Sequence, residues 1–375
     1  MKLLIDLLRW GEGGTQTFAK RVVPRLLEIL TGSKLLAHPD VARALALPEE
    51  LNSRVIGAPP SVANPYRRHF FQRDRVPGIL ADNEIDVYFV PGELSGLQPE
   101  TVPRVRVVKM FRNMLPVDDV ERRRFSIRFD LPTRIRLELL RYNVLAALER
   151  ADRVIFTSKY SLEAISRRIS VRDHRLVYHA VPDALANLES AGGNSTASER
   201  IFLYVSPTDP YKRQLEMIDG FVRYRRMFED TKARLVLAGP IRGHYGRQTR
   251  RAAREAGDSV SLLGPVSHDE ILKLMRRADV LLFGSTCECC PNVVLEYLAA
   301  HRPILCSGTP PMPEIAGEAA IYFDVLDPDT MAQSLRRIVS DSSVASALTA
   351  ATVERAERFP LSATIDGIIG ALTSW

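Results

Sequence analysis

Residues 279–308 read DVLLFGSTCECCPNVVLEYLAAHRPILCSG. The segment opens on a short apolar run closed by Gly284 and ends on a second one, PILCSG, closed by Gly308. Between them Asn292 precedes VVLEYLAAH. Asparagine is a preferred N-cap, because its side-chain oxygen satisfies an orphan amide of the first helical turn, so a helix is predicted to start there. Strand, loop, helix and strand in this order form the unit of a parallel sheet, whose neighbouring strands need a crossover connection.

The same pattern runs outward in both directions. KLLIDLL (2–8), DVYFV (86–90), RVVKMF (106–111), RVIFTS (153–158), IFLYVS (201–206), ARLVLAG (233–239) and SVSLLG (259–264) are further strand candidates. Most are followed by a Gly, Pro or Ser turn and then a helical stretch, as in Thr15–Leu30 with Phe18, Val22, Leu26 and Leu30 on one face. Residues 187–200, NLESAGGNSTASER, are polar and lack a period, which reads as a linker. The chain is thus expected to hold an α/β domain over 1–186, a linker over 187–200 and a second α/β domain over 201–355. A final helix within 356–375 is expected to pack back on the first domain. Ligands of open parallel sheets bind at the carboxyl ends of the strands, so functional residues are sought in loops that follow strands.

At 375 residues, with 46% apolar and 26% charged residues, the composition is that of a globular two-domain protein. The first run is broken by Asp6 and Arg9, which makes it a poor signal peptide and a good strand. A cytoplasmic protein without disulfides is expected. The formal charge is +6, and Arg104–Arg141 holds eleven basic against five acidic residues. That stretch suits an anionic membrane surface or a lipid diphosphate, or it is a solvated helical face. Nucleic acid is not expected, since no recognition module accompanies the charge.

The loop 284–291 holds three of the four cysteines, Cys287, Cys289 and Cys290. Zinc sites use C-x2-C or similar spacing, and C-x-C-C on a strand-to-helix turn points its thiols apart. Small buried cysteines are therefore expected, with no metal and no cofactor. The helix start offers free N–H groups to a phosphate. Glu288 and Glu296 flank it, and eight helical positions would separate them by about 12 Å. That exceeds the spacing of about 5–5.5 Å in a retaining glycosidase carboxylate pair. Two acids beside an amide-lined phosphate site suit hydrogen bonds to sugar or ribose hydroxyls.

Glu288-x7-Glu296, followed by AAHRPILCSGTPPMPEIAGEAAIYFDVLDPDTMAQSL, resembles the C-terminal domain of glycosyltransferase family 4. The likeness extends more weakly over Gly13-Gly14, NMLP (113–116), ADRVIFTSKYS (151–161) and YVSPTDPYKRQ (204–214). It implies a GT-B fold, with two Rossmann-like domains facing a central cleft. It also implies a retaining transferase using a nucleotide sugar, of the polysaccharide-biosynthesis type. On the matching residues, Glu296 would bind the donor ribose, Glu288 would sit at the transferred sugar, and amides near Pro291, Asn292 and Val293 would hold the diphosphate. Lys212 matches the lysine that neutralises the leaving diphosphate, a role with its own physical logic, since a fixed cation favours a leaving group that gains charge. A solvated loop lysine is the alternative.

The sequence departs from the family pattern in three places. The turn before Lys212 reads Ser206-Pro207-Thr208-Asp209-Pro210 where an arginine is usual, which leaves Arg213 as the substitute. Glu288-Cys289-Cys290-Pro291 replaces a glycine-rich loop, as in polysaccharide-type relatives, and Pro291 removes one amide donor. His301 stands where a helix-ending glycine is usual, and histidine tolerates a left-handed C-cap better than most residues.

Gly264 and Pro265, with Gly239-Pro240, are expected near the nucleotide base. In the first half, Gly13 and Gly14 would let backbone approach a ligand, or form an ordinary turn. Arg112 and Asn113 follow a strand and suit a phosphate and a sugar hydroxyl, or simply stabilise their loop. No D-x-D follows a strand, since Asp327-Pro328-Asp329 lies late, so metal-independent transfer to a glycan or lipid-linked saccharide acceptor is expected. Peripheral association with the inner membrane face would bring it to such an acceptor. A hydrolysing epimerase acting on nucleotide sugars, or a non-catalytic descendant binding glycan or a partner, are the rival readings.

Overall fold

Leu3–Leu7 (β1) is buried at all five positions, as expected for a strand covered on both faces of a parallel sheet. The computed structural model describes residues 1–9, 14–128, 131–182 and 199–375. β2 (Lys34–Ala37), β3 (Val55–Gly57), β4 (Val87–Val90), β5 (Arg106–Phe111), β6 (Arg153–Phe156) and β7 (His174–Leu176) join β1 in a seven-stranded sheet of order β3-β2-β1-β4-β5-β6-β7. Every pairing in it is parallel. The helix Gly14–Ile29 buries Phe18, Val22 and Leu26, the apolar face foreseen from spacing.

The second sheet holds β8 (Arg200–Val205), β9 (Ala233–Ala238), β10 (Val260–Gly264), β11 (Val280–Phe283), β12 (Ile304–Ser307) and β13 (Ala320–Phe323). Its order is β10-β9-β8-β11-β12-β13, again wholly parallel. The order reverses between β8 and β11, the kind of switch point at which open α/β sheets bind ligands.

Two compact units result. The first comprises Met1–Val117, Phe129–His179 and Ser362–Trp375, and the second Asp118–Arg128 and Ala180–Leu361. Within the first, the C-terminal segment is anchored by Arg153, which is 1% exposed. Its Nη1 donates to the carbonyl of Ala371 at 2.7 Å, its Nε to Asp173 at 2.6 Å, and the guanidinium lies 4.1 Å from the Trp375 ring centroid. Thr364 Oγ1 donates to the carbonyl of Tyr178 at 2.9 Å. Most of the proposed linker, 187–198, and Gly13 lie outside the described residues. Among the described residues no helix is long and apolar enough to cross a membrane.

Candidate functional site in the second unit

β8 delivers its chain into a tight turn. Ser206–Asp209 lead to a 3-10 turn, Pro210–Lys212, and Arg213 takes a left-handed conformation (φ 57°, ψ 35°) before the helix Gln214–Phe228 begins. A non-glycine residue there costs about 1–2 kcal/mol, so the surroundings must hold it. Tyr204 OH donates to the Lys212 carbonyl at 2.6 Å, and the Thr286 amide donates to the Tyr211 carbonyl at 2.8 Å. The Arg213 guanidinium gives two 2.8 Å bonds to Glu121, one of 3.2 Å to Glu216 and one of 3.3 Å to Thr286 Oγ1. Burial opposes charge on Arg213, but Glu121 and Glu216 outweigh it and raise the guanidinium pKa.

This frame presents Lys212. Its Nζ is ion-paired with Glu288 Oε1, with both side chains mostly buried. The rings of Tyr211 and Phe283 lie 5.1 and 5.6 Å from the ammonium, close enough for cation–π attraction. Nearby Asp209 is shifted toward the protonated form by its burial, with Lys212 pulling the other way and Glu288 adding to the rise.

Glu288 lies in the loop between β11 and the helix Asn292–Ala300. That helix differs in detail from the sequence expectation. Asn292 is its first residue, and the cap is Pro291, which makes no side-chain capping bond. Proline fits the cap position because its missing N–H is not needed there. The helix seats itself through Tyr297, whose hydroxyl accepts from the Val205 amide at 2.9 Å and donates to the Leu282 carbonyl at 3.1 Å. One phenol thus joins the ends of β8 and β11. Glu296, one position earlier, is 8% exposed. His301 closes the helix in the left-handed region (φ 53°, ψ 52°).

All four cysteines are buried and none forms a disulfide. Burial, then the neighbouring Asp118 and Glu288, push the Cys287 thiol well above its ordinary value, which suits a packed thiol rather than a thiolate ligand. Among the described residues no group of three or more His, Cys, Asp or Glu could hold a metal.

Gly264 and Pro265 line a hollow of about 860 Å³ together with Pro240, Ile241, Arg250 and Arg254. Its lining includes neither Lys212 nor Glu288. Gly264 itself is left-handed (φ 73°), and its carbonyl accepts from the Gly239 amide at 2.9 Å. The two glycine-proline loops foreseen from sequence therefore meet.

In the first unit, Gly14 opens its helix. The Arg112 guanidinium sits 4.9 Å from the Phe18 ring centroid and donates to the Pro91 carbonyl at 3.5 Å, while its amide donates to Glu93 at 2.7 Å. Asn113 Oδ1 accepts from the Leu115 amide at 3.3 Å, a loop-stabilising bond. Glu121, Thr286, Tyr204 and Tyr297 escaped the sequence reading. Glu121 lies 92 positions from Arg213, in a stretch marked only by its basic charge.

Residues 188–357 match the family model described as Glycosyl transferases group 1. No curated protein matches the sequence. Among solved structures, HepE of Anabaena, crystallised with UDP, is similar over 100% of both chains at 15% identity, with a TM-score of 0.74. Sucrose-phosphate synthase of Thermosynechococcus elongatus matches over 98% of this chain and 97% of its own, at 18% identity and a TM-score of 0.71. A glycosyltransferase of Rickettsia africae covers 100% and 99%, at 12% identity and a TM-score of 0.74. The chain therefore has the GT-B fold of these glycosyltransferases, and the segment of it that carries Lys212, Glu288 and Glu296 has the sequence pattern of the group 1 glycosyl transferases.

Proposed function

We propose that this protein is a retaining hexosyltransferase that moves a sugar from a nucleoside-diphosphate donor to a glycan or lipid-linked saccharide in cell-surface polysaccharide synthesis. The observation that carries the reading is the Lys212–Glu288 pair set beside the helix that bears Glu296. A leaving nucleoside diphosphate gains charge as its bond to the sugar breaks. Lys212 and the amides at the start of Asn292–Ala300 meet that charge, so the reaction needs no metal. Glu288 orients the sugar hydroxyls and offsets positive charge developing on the ring. The acceptor attacks from the face the diphosphate leaves, which keeps the anomeric configuration. Glu296 takes the ribose, and Gly264 and Pro265 border the base. Arg213, its fork already occupied, holds the turn. UDP is the first nucleotide to try, because HepE binds it.

The acceptor is met at the inner face of an anionic membrane. Support comes from the helix Leu131–Glu149, where Leu131, Ile135, Leu139 and Tyr142 are 66%, 52%, 59% and 69% exposed. Their spacing places them on one stripe, and Arg134 and Arg136 are exposed on the same turns. Phe129 lies outside the described residues, as do the side chains of Phe125 and Ile127.

The test is thermal stabilisation by UDP-, GDP-, ADP- and TDP-sugars, followed by transfer assays with Glu288→Ala. One donor should stabilise the wild type, and the variant should lose transfer. No stabilisation by any donor, or unchanged transfer by the variant, overturns the reading.

A further inference from the structure

Residues Asp118–Arg128 belong to the second unit although they interrupt the sequence of the first. Their helix, Asp119–Arg128, brings two acids to the two loops of the candidate site. Glu121, 1% exposed, grips Arg213 with both carboxylate oxygens at 2.8 Å. Asp118 lies close enough to Cys287 for its charge to help burial raise the thiol pKa, and its carboxylate caps the helix by accepting from the Glu121 amide at 2.8 Å. Arg213 follows Lys212, and Cys287 precedes Glu288. The same Arg213 also bonds Thr286, whose amide holds the Tyr211 carbonyl.

We infer that Glu121 is a positioning residue for the Lys212–Glu288 pair. It holds Arg213 in its left-handed turn and so fixes the Lys212 turn against the Glu288 loop. Each loop is a few residues long and exits a rigid strand. The Thr286 amide on the Tyr211 carbonyl joins the two backbones at one point, which leaves the Lys212 end of the turn to be fixed by side chains. Arg213 spans the gap, and its planar guanidinium is fixed at three nitrogens, with Nη2 on both oxygens of buried Glu121, Nη1 on Glu216 and Nε on Thr286 Oγ1. Removing Glu121 leaves Arg213 with Glu216 from its own helix and the longer contact to Thr286. The turn can then relax, and the ammonium loses its fixed place. A group that must meet a leaving charge tolerates little displacement, and an error of about 1 Å costs on the order of 10²-fold in rate.

The consequence for turnover rests on the transferase reading, whereas the consequence for Lys212 does not. The test therefore has two arms. In the first, Lys212 acylation by acetic anhydride is timed by peptide mass spectrometry in wild type, Glu121→Ala, Glu121→Asp and Arg213→Lys, well below each unfolding temperature. Faster labelling of Lys212, by about fivefold or more, is expected in Glu121→Ala and Arg213→Lys, with Glu121→Asp intermediate because it restores the charge one methylene short. Arg213→Lys keeps the inference testable if Glu121→Ala does not fold. Unchanged labelling in folded variants, with only a lowered unfolding temperature, would show a merely structural role and overturn it. In the second arm, UDP affinity is measured by calorimetry, and kcat and KM are measured with the donor that stabilises the protein. A fall in kcat of about tenfold or more is expected, larger than the rise in KM. If wild type binds no nucleotide but labelling rises, the transferase reading fails while the positioning role stands. If turnover is unchanged although labelling rises, the consequence for catalysis is wrong.

Discussion

Lys212 and Glu288, 76 positions apart in the chain, form an ion pair that is largely withdrawn from water. Removing one partner from such a pair leaves an uncompensated charge, which costs more than the pair contributes. Lys212→Ala and Glu288→Ala should each destabilise the protein, and the double variant should lose less than the sum of the two. Urea denaturation of all four proteins should return a coupling of about 1–3 kcal/mol. Additive losses would mean that the charges do not sense one another.

Tyr297→Phe removes only the hydroxyl that accepts from Val205 and donates to Leu282. Both partners are buried backbone groups at strand ends, so the variant leaves an amide and a carbonyl unpaired. The expected loss is about 1–3 kcal/mol in equilibrium unfolding. Because the same hydroxyl seats the helix that carries Glu296, nucleotide affinity should fall as well.

Lys109 in β5 is 2% exposed, and its burial, helped by the Arg150 charge, lowers the ammonium pKa to about 8. The unfolded chain keeps the ordinary value of about 10.4. Between these values the unfolded state binds more protons than the folded one, so stability rises with pH across the window. Below about pH 8 the folded state bears the full cost. Lys109→Met should therefore stabilise the protein at pH 7 by up to about 3 kcal/mol. Its advantage should shrink between pH 8 and 10, as read from denaturant unfolding at several pH values. A pH-independent difference would place Lys109 in a more polar setting than its burial indicates.

Two left-handed positions should respond in opposite ways. His301→Gly removes the Cβ conflict at the end of the helix that starts at Asn292 and should gain up to about 1 kcal/mol. Gly239 has φ 140°, and a Cβ there would sit 2.2 Å from the Ser206 carbonyl oxygen. Gly239→Ala should therefore lose several kcal/mol and disturb the meeting of the Gly239 and Gly264 loops. Differential scanning calorimetry of both variants reads the two signs.

The strands that sequence reading located are mainly those with apolar runs fed by a turn, such as Arg106–Phe111 and Val280–Phe283. Those it missed include three edge strands. Val55–Gly57 and His174–Leu176 close the first sheet, and Ala320–Phe323 closes one side of the second. An edge strand is covered less completely, and these three carry intermediate or exposed residues in their burial patterns. Their apolar signal is correspondingly weak. Lys34–Ala37, inside the sheet, was missed as well.

The order of glycine, proline and apolar runs by itself determined a doubly repeated parallel α/β chain, and the spacing of Glu288 and Glu296 drew attention to the loop after β11. These are local properties, written in turn chemistry and strand length. Only the tertiary structure decided what surrounds that loop. It paired Lys212 with Glu288, occupied Arg213 with a carboxylate 92 residues away, and made Asn292 the first residue of the helix rather than its cap. A buried charge is compatible with folding only when another charge or hydrogen bond meets it. Which residue meets it depends on how distant segments pack, and no local pattern encodes that.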